Sequence, residues 1–547
     1  MKDKEKTLLC LYSFIPEKYS KNINRYITEN EGVSFQSFLE NPYQLITEYG
    51  IPFQCYRERS GLNDYSKRKI SVTTFEMYLE EMYACIYDIL QENEKNGNTW
   101  ISRKKFYEIF FKYYPNEKEE NIYAYISYFN SVKYTKIYQD DIRIAFQVSK
   151  DKEDYLYHKI NQLKELDITT TFNYQYEDNE ELCDEQNYAV KEAMEHDLFI
   201  ITGGPGTGKT TTINTILTSY LENYPERSIK LLAPTGKAAK RMDECTGEIY
   251  GSSTIHFLTY AEKYHREEGN KIKYDFFIID ESSMIDLNIF YELLHYVDFD
   301  KLLLVGDINQ LASVGCGNIL SDLIENGVPL ARLTINHRNG DVIAENSRKI
   351  NEGNTNLTYN HHFTFVNVED KDIMAEILHD YTNDTMILHP YRSGVININK
   401  KIQELRYGVN PRPYNIGDKV IFTKNNRKEG YVNGDIGKVI RAEIEYMDVL
   451  LDGNEGKVIH VKEDIYDDIM LAYALTIHKS QGSEYNRVMI IIPSGCSTYF
   501  SKNLLYTAVT RAKEDIIIIG NLTEFQKLIN TPVKKRNTFI HLYSNAA

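Results

Sequence analysis

A glycine-rich run near the middle of the chain constrains the fold more than any other feature. Residues 203–211 read GGPGTGKTT and satisfy the pattern G-x-x-x-x-G-K-[ST]. Apolar residues at 198–201 predict a buried parallel strand before it, and apolar residues recur at helical spacing between 213 and 221. Strand, loop and helix in this order aim backbone N–H groups and the positive end of a helix dipole at a phosphate. The run therefore predicts a nucleotide-binding loop in an α/β domain.

Each residue type in this run suits a bound triphosphate. Backbone N–H groups of the turn surround phosphate oxygens, the Lys209 ammonium supplies a point charge, and the Thr210 hydroxyl is a ligand for Mg²⁺. The predicted nucleotide-binding residues of the run are Gly204, Pro205, Gly206, Thr207, Gly208, Lys209, Thr210 and Thr211.

Size and composition predict a multidomain protein of the ordinary globular kind. The 547 residues exceed one hydrophobic core, and at about 150 residues per domain they predict three or four units. Hydrophobic residues make up 42% of the chain, and no apolar stretch approaches the roughly 20 residues of a membrane helix. The amino terminus leads into only a brief apolar run, so we expect a cytoplasmic protein without a membrane segment.

Cysteine usage argues against a zinc or disulfide framework, and net charge argues against a protein that coats nucleic acid. The seven cysteines are widely spaced and form no C-x-x-C pair, which favours reduced thiols over a zinc site or a disulfide framework. A formal net charge of -16 argues against coating of nucleic acid through bulk attraction, while it permits a polyanion in a locally basic groove. A nucleic-acid function must therefore rest on particular residues.

The residue composition and the spacing of apolar residues change twice along the chain. No glycine occurs from residue 98 to 202, and the first 175 residues or so are mainly helical by their spacing. Beyond Gly203, short apolar runs alternate with amphipathic stretches, which is typical of parallel-sheet α/β domains. Between Pro411 and about Ile465, short β-type segments (419–423, 438–440) alternate with glycine turns, which predicts a small inserted β-barrel domain. The predicted strands of the α/β part are 276–279, 302–305, 386–388, 488–492 and 516–519.

Two of these strands run directly into polar residues that suit phosphoryl transfer. Asp280 and Glu281 follow the strand at 276–279, at the carboxyl end where open α/β sheets bind ligands. We expect Asp280 to hold Mg²⁺ and Glu281 to position and deprotonate the attacking water. Gln310 follows the strand at 302–305 and is a candidate reporter of the γ-phosphate.

Several further strings make the pattern specific. These strings are DEQN at 184–187, the run at 203–211, APTGKAA at 233–239, TIH at 254–256, DESSM at 280–284, VGDINQLASVG at 305–315, NHR at 336–338, TIHKSQGSE at 476–484 and YTAVTRAK at 506–513. In this order they resemble the RecD-type DNA helicases of superfamily 1B, collinearly over roughly residues 181–543, and so many short strings in one order are not a coincidence.

The resemblance implies two RecA-like domains with ATP in the cleft between them. We expect residues 1–175 to form a mainly helical amino-terminal region, 176–330 the first RecA-like domain, 331–410 with 466–547 the second, and 411–465 the small β-barrel insertion. The resemblance also assigns further nucleotide contacts. Gln186 reads adenine, Arg338 and Arg511 reach the γ-phosphate from the second domain, and Gly482 and Glu484 line the cleft.

The resemblance further implies contacts with the backbone of single-stranded DNA. Short hydroxyls, amides and a few cations follow phosphates without reading sequence. A hairpin at 258–274, with Gly269 and Asn270 at its turn, is either the wedge that splits duplex or an inert surface hairpin. The predicted DNA contacts are Thr235, Lys237, Thr254, His256, Thr476 and His478, and additional candidates for groove charge are Lys240, Arg241, Lys424, Arg427 and Lys428.

The amino-terminal region resembles the RecD pattern less closely. Relatives carry helix-hairpin-helix elements here, whereas the segment YGIPF at 49–53 lacks the second glycine of a G-x-G hairpin. A degenerate DNA-binding element and a protein-docking or packing element remain equal alternatives for this region.

These observations together predict an ATP- and Mg²⁺-dependent helicase or translocase that moves 5′ to 3′ on single-stranded DNA and meets duplex junctions. The polarity comes from the resemblance only. Two alternatives remain at this point. One is a superfamily 1B RNA helicase, and the other is a nucleotide-switched structural subunit of a larger DNA-processing complex.

Overall fold

The computed structural model describes twelve segments, which divide into two compact units. The first unit comprises Met1–Tyr155, Val314–Gly317 and Arg536–Ala546, and the second comprises Leu156–Ser313 and Asn318–Lys535. The described residues are 19–29, 44–53, 75–133, 135–166, 176–247, 249–264, 273–337, 342–409, 411–426, 428–443, 445–453 and 456–544.

The first unit is mainly helical, as the sequence predicts, with one small antiparallel sheet. Its sheet has the order β1–β3–β2, with β1 at Ile101–Ser102, β2 at Ile137–Gln139 and β3 at Arg143–Phe146. Aromatic and aliphatic side chains such as Phe106 and Phe129 form its buried core. The helices are α1 (Ser20–Glu29), α2 (Gln44–Thr47), α3 (Phe75–Lys95), α4 (Arg103–Tyr113), α5 (Glu119–Val132) and α6 (Gln147–Leu166).

The second unit contains two parallel sheets, and the first of them carries the glycine-rich loop. Its strand order is β6–β5–β7–β8–β4–β9. The strands are β4 (Leu198–Gly203), β5 (Ile229–Ala233), β6 (Ser253–Thr254), β7 (Lys273–Ile279), β8 (Asp298–Gly306) and β9 (Leu330–Leu333). The helices are α7 (Asp184–Glu195), α8 (Lys209–Asn223), α9 (Gly236–Cys245), α10 (Ile255–Tyr264), α11 (Leu287–Tyr296) and α12 (Ile319–Glu325). We call this part the first lobe.

The second parallel sheet builds the part that we call the second lobe. Its strand order is β10–β19–β18–β11–β17. The strands are β10 (Phe363–Asn367), β11 (Thr385–His389), β17 (Ala474–Thr476), β18 (Tyr485–Ile492) and β19 (Ala512–Gly520). The helices are α13 (Val342–Glu352), α14 (Ile373–Asp380), α15 (Arg392–Tyr407), α16 (Lys502–Val509) and α17 (Leu522–Asn530).

All five strands predicted for the α/β part are confirmed. They read as continuous apolar runs because helices cover both faces of a parallel sheet, so every side chain of the strand is buried. In β18, for example, Val488–Ile492 is buried throughout. The first sheet ends with β9, which pairs with β4, so it includes residues beyond the predicted boundary at residue 330.

The insertion in the second lobe is an antiparallel sheet of five strands. Its order is β15–β14–β13–β12–β16, an open order in which β15 and β16 are the edges among the described residues. A closed barrel is therefore not confirmed, although the β character of the insertion is. The strands are β12 (Lys419–Phe422), β13 (Ile436–Ala442), β14 (Tyr446–Leu451), β15 (Val458–Lys462) and β16 (Ile469–Leu471).

The hairpin predicted at 258–274 is wrong in its first part. Residues 258–264 belong to α10, because Leu258 and Thr259 continue the buried helical face that starts at Ile255. The predicted turn at Gly269 and Asn270 lies outside the described residues, and β7 begins at Lys273.

Residues 536–546 join the first unit, although the sequence prediction placed them in the second RecA-like domain. They contain helix α18 (Phe539–Ser544), in which Phe539 and Ile540 are buried. The backbone N–H of Thr99 donates to the carbonyl of Asn537 at 2.8 Å, and that of Phe539 donates to Glu153 Oε2 at 2.8 Å.

Among the residues that the structure describes, no helix is both long and apolar enough to cross a bilayer.

Candidate nucleotide site and nucleic-acid interface

The glycine-rich loop joins β4 to α8 as predicted. Gly206 and Gly208 have φ angles of 76° and 79°, a region that glycine enters without steric cost. The Lys209 ammonium donates to the carbonyls of Gly203 and Gly204 at 2.7 and 2.9 Å, so the loop wraps around its own cation. The Thr207 hydroxyl closes the turn by donating to the Gly204 carbonyl at 2.8 Å. This shape is a preformed cradle for an anion.

The acidic pair lies at the carboxyl end of β7, beside this loop in the first lobe. Glu281 has φ 52°, the one positive value among the described non-glycine residues. Its backbone N–H donates to Asp280 Oδ1 at 2.8 Å. Desolvation and the neighbouring Glu281 charge raise the pKa of Asp280, while the Lys209 and Arg241 cations oppose that rise.

Two predicted glutamines lie on the first-lobe side of the cleft. Gln186 is buried, its Oε1 accepts from the Cys183 backbone N–H at 3.1 Å, and its Nε2 lies 3.4 Å from the Gly208 carbonyl. Gln310 is also buried, and its Oε1 has no hydrogen-bond partner among the described residues. The structure therefore places Gln186 beside the phosphate loop and leaves one acceptor of Gln310 unsatisfied.

The second lobe contributes Arg511 and the 482–484 segment. The buried Arg511 guanidinium donates to the Thr507 and Ser483 carbonyls, both at 3.1 Å, so it is held by its own lobe. Gly482 is buried with φ 71°. Arg338 lies outside the described residues, but the backbone N–H of its neighbour His337 donates to the Gly206 carbonyl at 3.0 Å.

Arg241, a candidate for groove charge, has acidic partners in both lobes. Its guanidinium lies 3.1 Å from Glu484 Oε2 of the second lobe, and Asp280 and Glu281 are also close enough to interact. Burial lowers the pKa of Arg241, and the Glu484 and Glu281 charges outweigh this and raise it. Arg241 therefore faces the nucleotide cleft, because its position on α9 turns it toward the acidic residues.

Polar contacts that sequence reasoning missed also join the lobes. The Tyr506 hydroxyl donates to Asp307 Oδ2 at 2.8 Å, and the Leu311 backbone N–H donates to Thr507 Oγ1 at 2.9 Å. The Gln481 Nε2 group donates to the Leu311 carbonyl at 3.1 Å. Tyr506, Thr507 and Gln481 stand in the strings that carry the resemblance, but no local pattern says which residues they meet.

The predicted DNA contacts occupy matching places in the two lobes. Thr254 ends the edge strand β6 and pairs with Ala233, the last residue of β5. Thr476 ends the edge strand β17 and pairs with His389, the last residue of β11. Each threonine begins the same tripeptide, Thr-Ile-His, and each hydroxyl accepts from a backbone N–H at 3.2 Å. His256 is exposed, and His478 is half-buried.

Thr235 and Lys237 lie at the start of α9, near the insertion. The Thr235 hydroxyl caps the helix by accepting from the Ala238 N–H at 3.2 Å. Burial lowers the pKa of Lys237, and the Asp435 and Asp452 carboxylates partly offset this. Beside them, α9, the 252–260 segment and the insertion line a cavity of about 560 Å³ that includes Thr254 and His256.

The other basic candidates have ordinary surface partners or lie outside the described residues. Lys240 lies 4.0 Å from Glu244, and Lys424 lies 2.5 Å from Asp468. Arg427 is outside the described residues. Lys428 lies in the insertion, and no contact in the described part connects it to the cavity beside α9.

The residues present fit a magnesium nucleotide. The anion cradle, the Thr210 hydroxyl and the Asp280 carboxylate form the donor set that Mg²⁺ takes when phosphate oxygens complete its shell. In the described part of the chain, no group of three or more His, Cys, Asp or Glu residues could hold a metal by itself.

Two family models match parts of the first and second lobes. The model of an AAA domain matches residues 186–316, and that of a UvrD-like helicase C-terminal domain matches residues 471–519. The RecBCD enzyme subunit RecD of Mycolicibacterium smegmatis is 29% identical over 405 residues, 63% of this chain and 72% of that protein. The ATP-dependent RecD2 DNA helicase of Deinococcus radiodurans is 30% identical over 377 residues, 65% of this chain and 52% of that one. Among solved structures, Pif1 helicase from Bacteroides with ADP-AlF3 and ssDNA gives a TM-score of 0.44 at 20% identity, covering 65% of this chain and 95% of that chain.

Proposed function

We propose that this chain, a RecD-type protein by its sequence relatives, is an ATP-dependent DNA helicase that moves 5′ to 3′ on single-stranded DNA. One observation carries the proposal: a single cleft brings the phosphate loop and the loop after β8 in the first lobe against α16 of the second, and Arg241 of the first lobe pairs with Glu484 of the second. Charge neutralisation that depends on two lobes couples the chemistry to their movement.

The nucleotide-side roles that we propose combine the RecD-type resemblance with the contacts described above. Lys209 holds the β and γ phosphates, and Thr210 and Asp280 would hold the Mg²⁺, which supplies charge neutralisation to the transferring phosphoryl group. Glu281 orients and deprotonates the attacking water, and Gln310 turns its unsatisfied oxygen toward that water or the γ-phosphate. Arg511, with Arg338, neutralises charge from the second lobe.

The remaining nucleotide contacts lie around this centre. Gln186 recognises the base next to the phosphate loop, and Gly482 and Glu484 form the facing wall of the cleft. The buried Arg511 must exchange its carbonyl partners for phosphate oxygens, so full catalysis requires a further closure of the second lobe.

On the DNA side, the two Thr-Ile-His tripeptides offer repeated contacts for a phosphate backbone. Because each lies at the carboxyl end of an edge strand in its lobe, a change in the spacing of the lobes changes the distance between them. Thr235 and Lys237 extend the first-lobe contact, and the duplex junction lies at one end of this path.

The domain assignments and finer features belong to the same proposal. The first and second lobes are the two RecA-like domains, the antiparallel sheet from β12 to β16 is the small inserted domain, and the first unit is a further interaction region. Movement from 5′ to 3′, the use of Mg²⁺ and partner proteins at the amino-terminal region rest on the RecD-type resemblance.

Strand displacement on paired substrates with a 5′ or a 3′ single-stranded overhang tests motor activity and polarity together. We expect ATP-dependent displacement of the 5′-overhang substrate only. Displacement of the 3′-overhang substrate alone would refute the polarity, and displacement of neither would refute fork opening.

ATPase rates on the wild type, Lys209→Ala and Glu281→Gln proteins test the site. We expect single-stranded DNA to stimulate the wild-type rate, and each substitution to lower kcat by about 100-fold or more, since each removes a group used in the transition state. Equal phosphate release with and without DNA would favour a nucleotide-switched structural subunit. Equal stimulation by RNA of the same sequence would favour an RNA helicase, since only the 2′-hydroxyl differs along the backbone.

A further inference from the structure

Tyr506 of α16 reaches across the cleft with a buried hydroxyl. It donates to Asp307 Oδ2 at 2.8 Å, and the two residues expose only 4% and 1% of their surface. A hydrogen bond to a carboxylate in such surroundings is worth more than one at a surface, because water does not compete for either group. The contact therefore fixes the distance between α16 and the loop after β8.

The same hydroxyl touches the phosphate loop. A Cβ atom placed on Gly204 would lie 3.0 Å from the Tyr506 oxygen, which is closer than side chains normally approach. Gly204 therefore leaves room for a second-lobe hydroxyl at the end of the cleft where the phosphates bind. Nothing in the local G-x-x-x-x-G-K pattern requires glycine at this position.

On the first-lobe side, the contact leads to Gln310. The Gln310 backbone N–H donates to the Asp307 carbonyl at 3.2 Å, and its Nε2 lies 3.5 Å from the same Asp307 oxygen that Tyr506 contacts. Holding Nε2 toward Asp307 leaves the Gln310 Oε1 buried without a partner among the described residues. Asp307 thus sets which way the Gln310 amide faces.

On the second-lobe side, the contact leads to Arg511. Thr507 follows Tyr506 in α16, and its carbonyl accepts from Arg511 Nε at 3.1 Å. Its hydroxyl accepts from the Leu311 backbone N–H at 2.9 Å, so two successive residues of one helical turn hold the loop after β8. A shift of this turn moves Arg511 and the Gln310 loop together.

We infer that Tyr506 is a positioning residue for ATP hydrolysis, which orients Gln310 through Asp307 and sets its distance from the second-lobe arginine. The inference rests on the proposed function and adds to it a residue that acts through others. Tyr506 binds no part of the nucleotide in this role, so its loss affects the geometry of the reacting groups rather than ground-state binding.

Steady-state ATPase kinetics of Tyr506→Phe, with saturating single-stranded DNA, test the inference. We expect kcat to fall about tenfold while KM for ATP stays within about twofold of the wild type, the pattern of a loss felt only in the transition state. Tyr381→Phe is the matched control, because Tyr381 is also in the second lobe and its hydroxyl has no hydrogen-bond partner among the described residues. We expect wild-type kinetics for the control.

Asp307→Ala removes the oxygen that accepts from the Tyr506 hydroxyl, so the double variant tests whether Tyr506 acts through Asp307. If it does, adding Tyr506→Phe to Asp307→Ala lowers kcat by less than about twofold more. Binding of a fluorescent ATP analogue and the thermal unfolding midpoint of each variant show whether the cleft is intact.

Three outcomes overturn the inference. A Tyr506→Phe protein with wild-type kcat shows that the hydroxyl does not position the site. A full tenfold further loss in the Asp307→Ala background shows that the two residues act independently, and weaker analogue binding that matches the loss of kcat shows a structural effect. A wild-type chain without DNA-stimulated ATPase would instead overturn the proposed function and this inference with it.

Discussion

Charged side chains from both lobes determine the electrostatics of the cleft. Asp280 and Glu281 are adjacent in sequence, and their mutual repulsion adds to the cost of desolvation. Lys209 and Arg241 oppose this, and Arg241 also pairs with Glu484 across the cleft. A candidate for DNA contact thus has its charged partners among the acidic residues of the cleft.

The position of Arg241 predicts a kinetic effect of its removal. In Arg241→Ala we expect kcat/KM for ATP to fall by about tenfold, roughly 1.4 kcal/mol in transition-state stabilisation, with single-stranded DNA affinity within about twofold of the wild type. ATPase kinetics and fluorescence anisotropy with labelled DNA measure the two quantities. Lys240→Ala is the matched control, since Lys240 lines the cavity beside α9 rather than the cleft.

An opposite result would restore the groove interpretation of Arg241. Weaker DNA binding with unchanged ATP kinetics in Arg241→Ala would mean that its pairing with Glu484 gives way when DNA binds. The charge-swapped protein Arg241→Glu with Glu484→Arg gives a second measurement, because it keeps the pairing but inverts the field at Asp280.

At the level of elements, the parallel sheet of the first lobe supports one strained residue at the carboxyl end of β7. Strand β7 is buried from Phe276 to Ile279, and the chain turns sharply at Glu281, which has φ 52° and ψ 38°. A side chain in this region costs about 1 kcal/mol or more relative to glycine. The sheet holds Glu281 in this conformation because the burial of the apolar side chains of β7 stabilises the fold by more than the strain costs.

Because of this strain, we expect substitutions of Glu281 to affect activity and stability differently. Both Glu281→Gly and Glu281→Ala remove the carboxylate and should abolish ATP hydrolysis. The glycine variant should be more stable than the alanine variant by about 0.5–1 kcal/mol, since only glycine relieves the left-handed backbone. Thermal unfolding of the two proteins checks the difference, and an alanine variant of equal or greater stability would show that the backbone carries no strain.

At the level of the whole molecule, the first unit is built from distant parts of the chain. Thr99 Oγ1 donates to the buried Glu153 Oε2 at 2.7 Å, and the Phe539 N–H donates to the same oxygen at 2.8 Å. The Arg536 guanidinium donates to the Gly317 carbonyl at 2.7 Å, a residue of the short segment 314–317. Residues 536–546 therefore complete the core of a unit that begins hundreds of positions earlier.

This arrangement predicts that Phe539→Ala destabilises the first unit by about 3–5 kcal/mol, because it removes a fully buried ring. Hydrogen–deuterium exchange should show lost protection in α4 and in the 147–155 part of α6, with unchanged protection in α8. Phe257→Ala, at a ring with 46% exposure, is the control and should leave all three helices unchanged. Uniform loss of protection across the chain would mean that the two units unfold together.

Local patterns predicted much of the fold and part of the site. Continuous apolar runs predicted the central strands, because a strand covered on both faces shows its burial in its own sequence. The edge strands β6 and β17 have only two and three residues, too few for any periodicity to show. The glycine-rich loop and the acidic pair were predictable because strand, loop and helix are contiguous, so their geometry is local.

The sequence by itself determined that the glycine-rich loop joins a strand to a helix and that the acidic pair follows a buried strand, and the tertiary structure decided which residues they meet. Hydrophobic periodicity depends on residues that are close together in the sequence. A polar contact between the lobes depends instead on how the two folded lobes pack against each other. Arg241 with Glu484, Asp307 with Tyr506 and Leu311 with Thr507 are each separated by more than 190 positions. Only the packing of one lobe against the other brings these groups within hydrogen-bond distance.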